Sequence, residues 1–194
     1  MNAMTQPKLS LEDYLAWEDE QPERHEFYRG EVFARDGERR VHGCLVGNLA
    51  RVLGNALQGS PFQVFVNSMK LQVGEDIVFY PDVFITCDKT DLSTERIFTA
   101  PTVVVEVLSP STQAYDRGLK FEVYRRIASL REYILIDPDT WRIDAFRRNE
   151  QGQWLLFDMS GATQLELPSV GVSVPLAEVF DGVDPPKPGA SPAD

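Results

Sequence analysis

The stretch PTVVVEVLSPST, residues 101–112, limits the fold more than any other part of the chain. Val103, Val104, Val105, Val107 and Leu108 make a short, mostly β-branched apolar run bounded by Pro101 and Ser109-Pro110. Such a run predicts a strand covered on both faces, and so a sheet with layers above and below it. Glu106 interrupts the run at its centre. An ionised carboxylate left unpaired there would be strongly destabilising, so Glu106 must be neutral, paired or bound to a cation.

The remaining elements fit an α/β chain with a mixed sheet flanked by helices. Residues 9–20 have the spacing of a short helix through Leu11, Tyr14 and Leu15. HEFYRGEVFARDG reads as a hairpin turning near Gly30, with a further turn at Asp36-Gly37. A helix over 41–58 carries the stripe Leu45, Val46, Leu49, Val52, Leu53 and Ala56, and Gly47 and Gly54 within it are expected to permit close packing. FQVFV, MKLQV and IVFYPDVFIT read as strands, with a turn at residues 74–76 and Pro81 marking an edge, a bulge or a strand start. A second helix, 114–130, has the stripe Leu119, Val123 and Ile127, with Ser111 or Thr112 as its cap. REYILIDP follows as a strand, and WRIDAFRR and QWLLFDM as a hairpin around residues 149–152. This predicts a single domain over 9–182, a loose segment at 1–8 and a disordered proline-rich tail at 183–194.

No apolar run reaches the length of a membrane span, and no secretory signal is evident, so a cytoplasmic protein without membrane contact is expected. Cys44 and Cys87 lack metal-ligand spacing and read as free, mostly buried thiols. The formal charge of −11 counts against a broad non-specific nucleic-acid surface. Basic residues do gather between Arg117 and Arg148, where eight stand against five acidic ones. A solvated face is the simpler explanation of that cluster.

Asp82 in VFYPDVFI is a second carboxylate in an apolar setting, one loop before Glu106. If the two strands pair, both acids can emerge on one face. Two close carboxylates repel unless a cation separates them. Hard oxygen donors without a His–Cys cluster favour Mg²⁺ or Mn²⁺ over zinc. Lys120, on the following helix, can reach back towards Glu106 or pair with Asp116 one turn earlier.

YPDVFIT, PTVVVEVLSPST, DRGLKFEVY and REYILIDP together resemble the Uma-type endonuclease family, within the PD-(D/E)XK restriction-endonuclease-like superfamily. The resemblance covers about residues 9–180. It implies a restriction-endonuclease-like core and Mg²⁺-dependent hydrolysis of DNA phosphodiester bonds. It implies Asp82 and Glu106 as metal ligands, the carbonyl of Val107 as a further one, and Lys120 as the catalytic lysine. The superfamily pattern puts that lysine two residues after the acid, where this chain has Leu108, so the match moves to the helix. Glu26 and Glu31 match further acids of the family, although an exposed hairpin glutamate is the simpler reading of Glu26. His42 matches a family histidine, against the alternative of a core or capping histidine. Tyr124, one turn after Lys120, is read as packing that positions it. Trp141 and Trp154 are read as hairpin core or dimer contacts, with base stacking the lesser reading.

The chain is thus expected to be a metal-dependent endonuclease acting on DNA, as a homodimer that gathers its basic residues around one groove. The competing readings are a nuclease-fold module that binds or assembles without cutting, and a metal-dependent hydrolase of smaller phosphoesters. The presence of both acids and the lysine favours the enzyme.

Overall fold

The computed structural model describes residues 8–35 and 39–186. The expected turn at Asp36-Gly37, residues 1–7 and the tail from 187 onward lie outside the described residues.

Helix α1 (Leu11–Glu18) starts at Ser10, whose hydroxyl accepts the Asp13 N–H. Strands β1 (His25–Tyr28) and β2 (Glu31–Ala34) form the expected hairpin. Arg29 and Gly30 both take positive φ at its turn, 51° and 92°, as a two-residue type I′-like connection requires. Helix α2 (Arg40–Ala56) buries Leu45, Val46, Leu49, Val52 and Leu53. Ala56 is exposed and Leu57 closes the stripe instead. Gly47 and Gly54 do not serve close packing: a Cβ at either would meet nothing within 4 Å.

Two mixed sheets hold the core. The first comprises β1, β2, β4 (Lys70–Val73), β5 (Ile77–Phe79) and β7 (Ile97–Phe98), in the order β2-β1-β5-β4-β7. The second comprises β3 (Gln63–Val66), β6 (Val83–Thr86), β8 (Val103–Val107), β9 (Glu132–Ile136), β10 (Ile143–Arg148) and β11 (Trp154–Asp158), in the order β11-β10-β9-β8-β6-β3. IVFYPDVFIT is therefore not one strand. The chain leaves the first sheet at Phe79, passes Tyr80-Pro81-Asp82 and enters the second at Val83. Asp82 stands at that crossing rather than mid-strand.

Strand β8 is covered on both faces, as its sequence demands. Val103, Val105 and Val107 join a core cluster with α2 and with the small β12 (Gln164–Leu167)–β13 (Val172–Pro175) sheet and α5 (Leu176–Val179). Val104 and Leu108 join a second cluster with the first sheet and the helical segment that follows β8. Burying each such side chain contributes roughly 1.5–3 kcal/mol. On the far face of the first sheet, α1 packs Tyr14 against Phe27 and Val78.

The predicted helix after β8 is shorter and irregular. It runs as α3 (Gln113–Tyr115), a π-helical turn Asp116–Lys120, and α4 (Phe121–Tyr124). Its start is held by Ser109, not Ser111 or Thr112: Ser109 Oγ accepts the Thr112 N–H at 3.2 Å, and its carbonyl accepts the Gln113 N–H at 2.9 Å. The wider π turn rotates Asp116 and Lys120 into the interior, while Leu119 is only half-buried. Trp141 stacks on Phe180 and Trp154 packs edge-on to Phe121, so both are packing residues.

Candidate active site

Asp82 and Glu106 meet because of strand register. Strands β6 and β8 pair Val83 with Val105 and Phe84 with Val104. One step further sets Asp82 opposite Glu106, on the face shared by Phe84 and Val104. Glu106 Oε2 accepts the Asp82 N–H at 3.3 Å, and Asp82 Oδ2 accepts the Val107 N–H at 2.8 Å. The question raised by a carboxylate in a valine run is thereby answered: Glu106 is paired. Its Oε1 accepts Lys120 Nζ at 3.2 Å and the Tyr124 hydroxyl at 3.0 Å.

Lys120 is the hub of the cluster. Its ammonium lies 3.0 Å from Glu26, 3.2 Å from Glu106 and 3.4 Å from Asp116. The two readings of Lys120 open in the sequence are both realised, since it reaches Glu106 and also pairs with Asp116. That pair is interior, not a surface pair. Glu26 is buried, contrary to the exposed hairpin position expected of it, and its Oε1 also accepts the Tyr80 N–H. Glu31 is exposed on β2 and stays out of the cluster. His42 Nε2 lies 3.0 Å from Asp82 Oδ2, and Arg35 Nη2 donates to Asp82 Oδ1 at 3.0 Å. Asp116 and Arg35 were missed as site residues. The burial of Asp116 depends on a π turn that no 3.6-residue period reveals, and Arg35 has no apolar pattern around it to fix its direction.

The charges have clear consequences. Burial pushes the Glu106 carboxyl up to about 8, opposed by Lys120 and assisted by the negative charge of Asp82. Burial acts the same way on Asp82, but His42, Arg35 and Lys120 outweigh it and hold that carboxyl below its usual value. Burial also raises Asp116. For Lys120 burial favours the neutral amine, yet Glu106, Glu26 and Asp116 prevail and keep it protonated. Burial raises the Tyr124 hydroxyl, so it remains a donor to Glu106.

The donor set suits a small hard cation. An ionised carboxylate offers about four acceptor positions. Asp82 uses three, towards Arg35, His42 and Val107 N–H, and Glu106 uses three, towards Lys120, Tyr124 and Asp82 N–H. On that count each carboxylate, when ionised, has one acceptor position left. Four buried carboxylates (Glu26, Asp82, Glu106, Asp116) face the cations Lys120 and Arg35, and His42 if it is protonated. Among the described residues no group of three or more His, Cys, Asp or Glu side chains is arranged to hold a metal ion. A cation here would rest on two carboxylates plus backbone carbonyl and water, a common arrangement for Mg²⁺.

The cluster forms the floor of a cavity of about 420 Å³, whose walls include Phe33, Arg39 and the Ser109–Thr112 loop. Another depression, of about 500 Å³, lies at Arg40, Pro138 and Asp184 and contains none of the four acids. The basic residues between Arg117 and Arg148 lie apart from this cavity except for Lys120, and Arg131, Arg147 and Arg148 line a separate depression of about 450 Å³. Arg117 and Arg142 pair with Asp144, Arg126 with Glu122 and Arg147 with Glu132, while Lys120 is interior. Cys44 and Cys87 are free and half-buried, and no helix among the described residues is long and apolar enough to cross a membrane.

Comparison with known proteins agrees with this architecture. Residues 11–177 match the model of a family named Uma2 and described as "Putative restriction endonuclease". The uncharacterized Synechocystis protein slr1290 is 37% identical over 178 residues, which is 91% of this chain and 94% of that protein. A second uncharacterized Synechocystis protein, sll1609, is 34% identical over 79% of this chain and 88% of its own. A crystal structure from Anabaena variabilis, of a protein described as "a putative nuclease belonging to DUF820", superposes with a TM-score of 0.70 at 18% identity. It covers 90% of this chain and 99% of its own, and it shows that the fold is shared.

Proposed function

This chain belongs to the Uma2 family, and we propose that it is a metal-dependent endonuclease that hydrolyses DNA phosphodiester bonds. Asp82, Glu106 and the carbonyl of Val107 hold Mg²⁺ or Mn²⁺. The observation that carries the reading is the meeting of Asp82 and Glu106 at one register position with an ammonium 3.2 Å from Glu106, on the floor of an open cavity.

When bound, a divalent cation supplies Lewis-acid polarisation of the phosphate and acidifies a nearby water. The chain's own residues do the rest. Lys120, kept protonated by its three carboxylates, cannot be the base; it orients a water and offsets charge developing on the phosphate. Tyr124 fixes the rotamer of Glu106, and His42 and the Val107 N–H fix Asp82.

One observation favours a second reading, a module that binds without cutting: both acids already have protein partners at every oxygen. Plasmid nicking with purified protein separates the two. Mg²⁺- or Mn²⁺-dependent nicking that EDTA stops, and that Asp82→Asn and Glu106→Gln abolish, is the expected result. Nicking that persists in both variants would overturn the assignment, and wild-type protein that binds DNA but never nicks it would support the second reading.

A further inference from the structure

Resting on the nuclease reading, we propose that the substrate enters the site as an unpaired DNA strand, with one base stacked on Phe33. The first reason is depth. Asp82, Glu106 and Lys120 retain only 3%, 2% and 5% of their surface, so a phosphate must descend into the cavity to touch them. A duplex holds its phosphates on the outside of a stiff, wide cylinder, whereas a single strand can feed one nucleotide inward. The volume of about 420 Å³ lies in the range that takes one ligand-sized unit.

The second reason is Phe33. It is a large aromatic left 43% exposed, unlike the two tryptophans considered for stacking from the sequence. Its position is fixed by pairing: Phe33 lies directly opposite Glu26 on the β1–β2 hairpin, and opposite residues share a face. Glu26 contacts Lys120, so Phe33 stands beside the acid–lysine cluster, and it lines the same cavity. An exposed aromatic next to a phosphate site is the platform on which unpaired bases stack.

The third reason is the polar lining around it. Arg35 and Arg39 line the same cavity, paired with Asp82 and Asp139 respectively, and Ser109, Ser111 and Thr112 supply hydroxyls from the loop after β8. These groups can hold the phosphates on either side of the one at the acids. A net charge of −11 counts against the broad basic surface that duplex binding draws on. A short track of stacking and local phosphate contacts suits a single strand better.

The test uses full-length protein and fluorescein-labelled 20-mers, single-stranded or annealed to an unlabelled complement. Binding is read by anisotropy without metal, and cleavage with Mn²⁺. The expected result is at least ten-fold tighter binding and ten-fold higher kcat/KM for the single strand. Phe33→Ala should weaken single-strand binding about ten-fold, as loss of one base–aromatic stack does, and Phe33→Trp should restore it. Equal or better handling of the duplex would overturn the proposal and leave the nuclease reading standing, as would Phe33→Ala binding like wild type. If wild-type protein cleaves neither DNA, the nuclease reading fails by itself. The anisotropy arm then decides this proposal, with single-strand preference and its loss in Phe33→Ala supporting it.

Discussion

Lys120 shows how far a single residue's chemistry depends on its neighbours. From its spacing it is either a surface partner of Asp116 or a reach towards Glu106, and only coordinates reveal a buried ammonium shared by three carboxylates. Removing it strands those carboxylates. Lys120→Met should therefore cost stability of about 3–5 kcal/mol in urea unfolding, besides any loss of cleavage. Stability equal to wild type would contradict the shared-charge picture. Asp82→Asn, which keeps shape and the Val107 contact, is the cleaner probe of chemistry. Tyr124→Phe removes one buried donor to Glu106 and should cost about 1–3 kcal/mol, again read by urea unfolding. No change would mean that the tyrosine hydroxyl does not hold Glu106. Asp82, Glu106 and Lys120 were legible because each breaks an apolar pattern or matches a family motif. Glu26 entered only through the family resemblance and Asp116 only as a surface partner of Lys120, since a glutamate in a hairpin and an aspartate one turn before a lysine are ordinary surface features until tertiary structure buries them.

At the scale of elements, the strand runs and the α2 stripe were legible because their periods are unbroken. Two departures were not. Tyr80-Pro81-Asp82 carries the chain from one sheet to the other inside what reads as one long apolar strand, and hydrophobicity alone does not distinguish a buried crossing from a buried strand. The π turn at 116–120 defeats a 3.6-residue template because it is wider than one. The helix glycines give a measurable consequence of the opposite kind. Gly47 and Gly54 sit in α2 with open space where a Cβ would go. Gly47→Ala and Gly54→Ala should each raise stability by about 0.5–1 kcal/mol, checked by the urea midpoint. A loss in either would show that the position carries a contact or a motion that alanine obstructs.

At the scale of the whole molecule, the homodimer expected from the sequence would find a candidate surface at strand β11. Strand β11 is the edge of the six-stranded sheet and exposes Leu155, Leu156 and Phe157 in succession. An open edge with apolar side chains and no lysine among its residues is self-complementary to a second, antiparallel copy of itself. Such pairing would set Leu156 on the two-fold axis. Leu156→Lys should then convert a dimer into a monomer in sedimentation equilibrium, and a wild-type monomer would remove the dimer from the account. The overall charge of −11 adds a constraint, since the arginines after β8 mostly serve internal ion pairs. On the proposed function, attraction of DNA would come from the immediate surroundings of the cavity rather than from the field of the whole chain.

The proposed hydrolysis requires a divalent cation shared by Asp82 and Glu106. Crystals soaked in Mn²⁺ and measured for anomalous scattering test this most directly. The predicted result is one strong peak within bonding distance of both carboxylates and the Val107 carbonyl, lost in Asp82→Asn. A cavity without a peak, or a peak that survives that substitution, would contradict it.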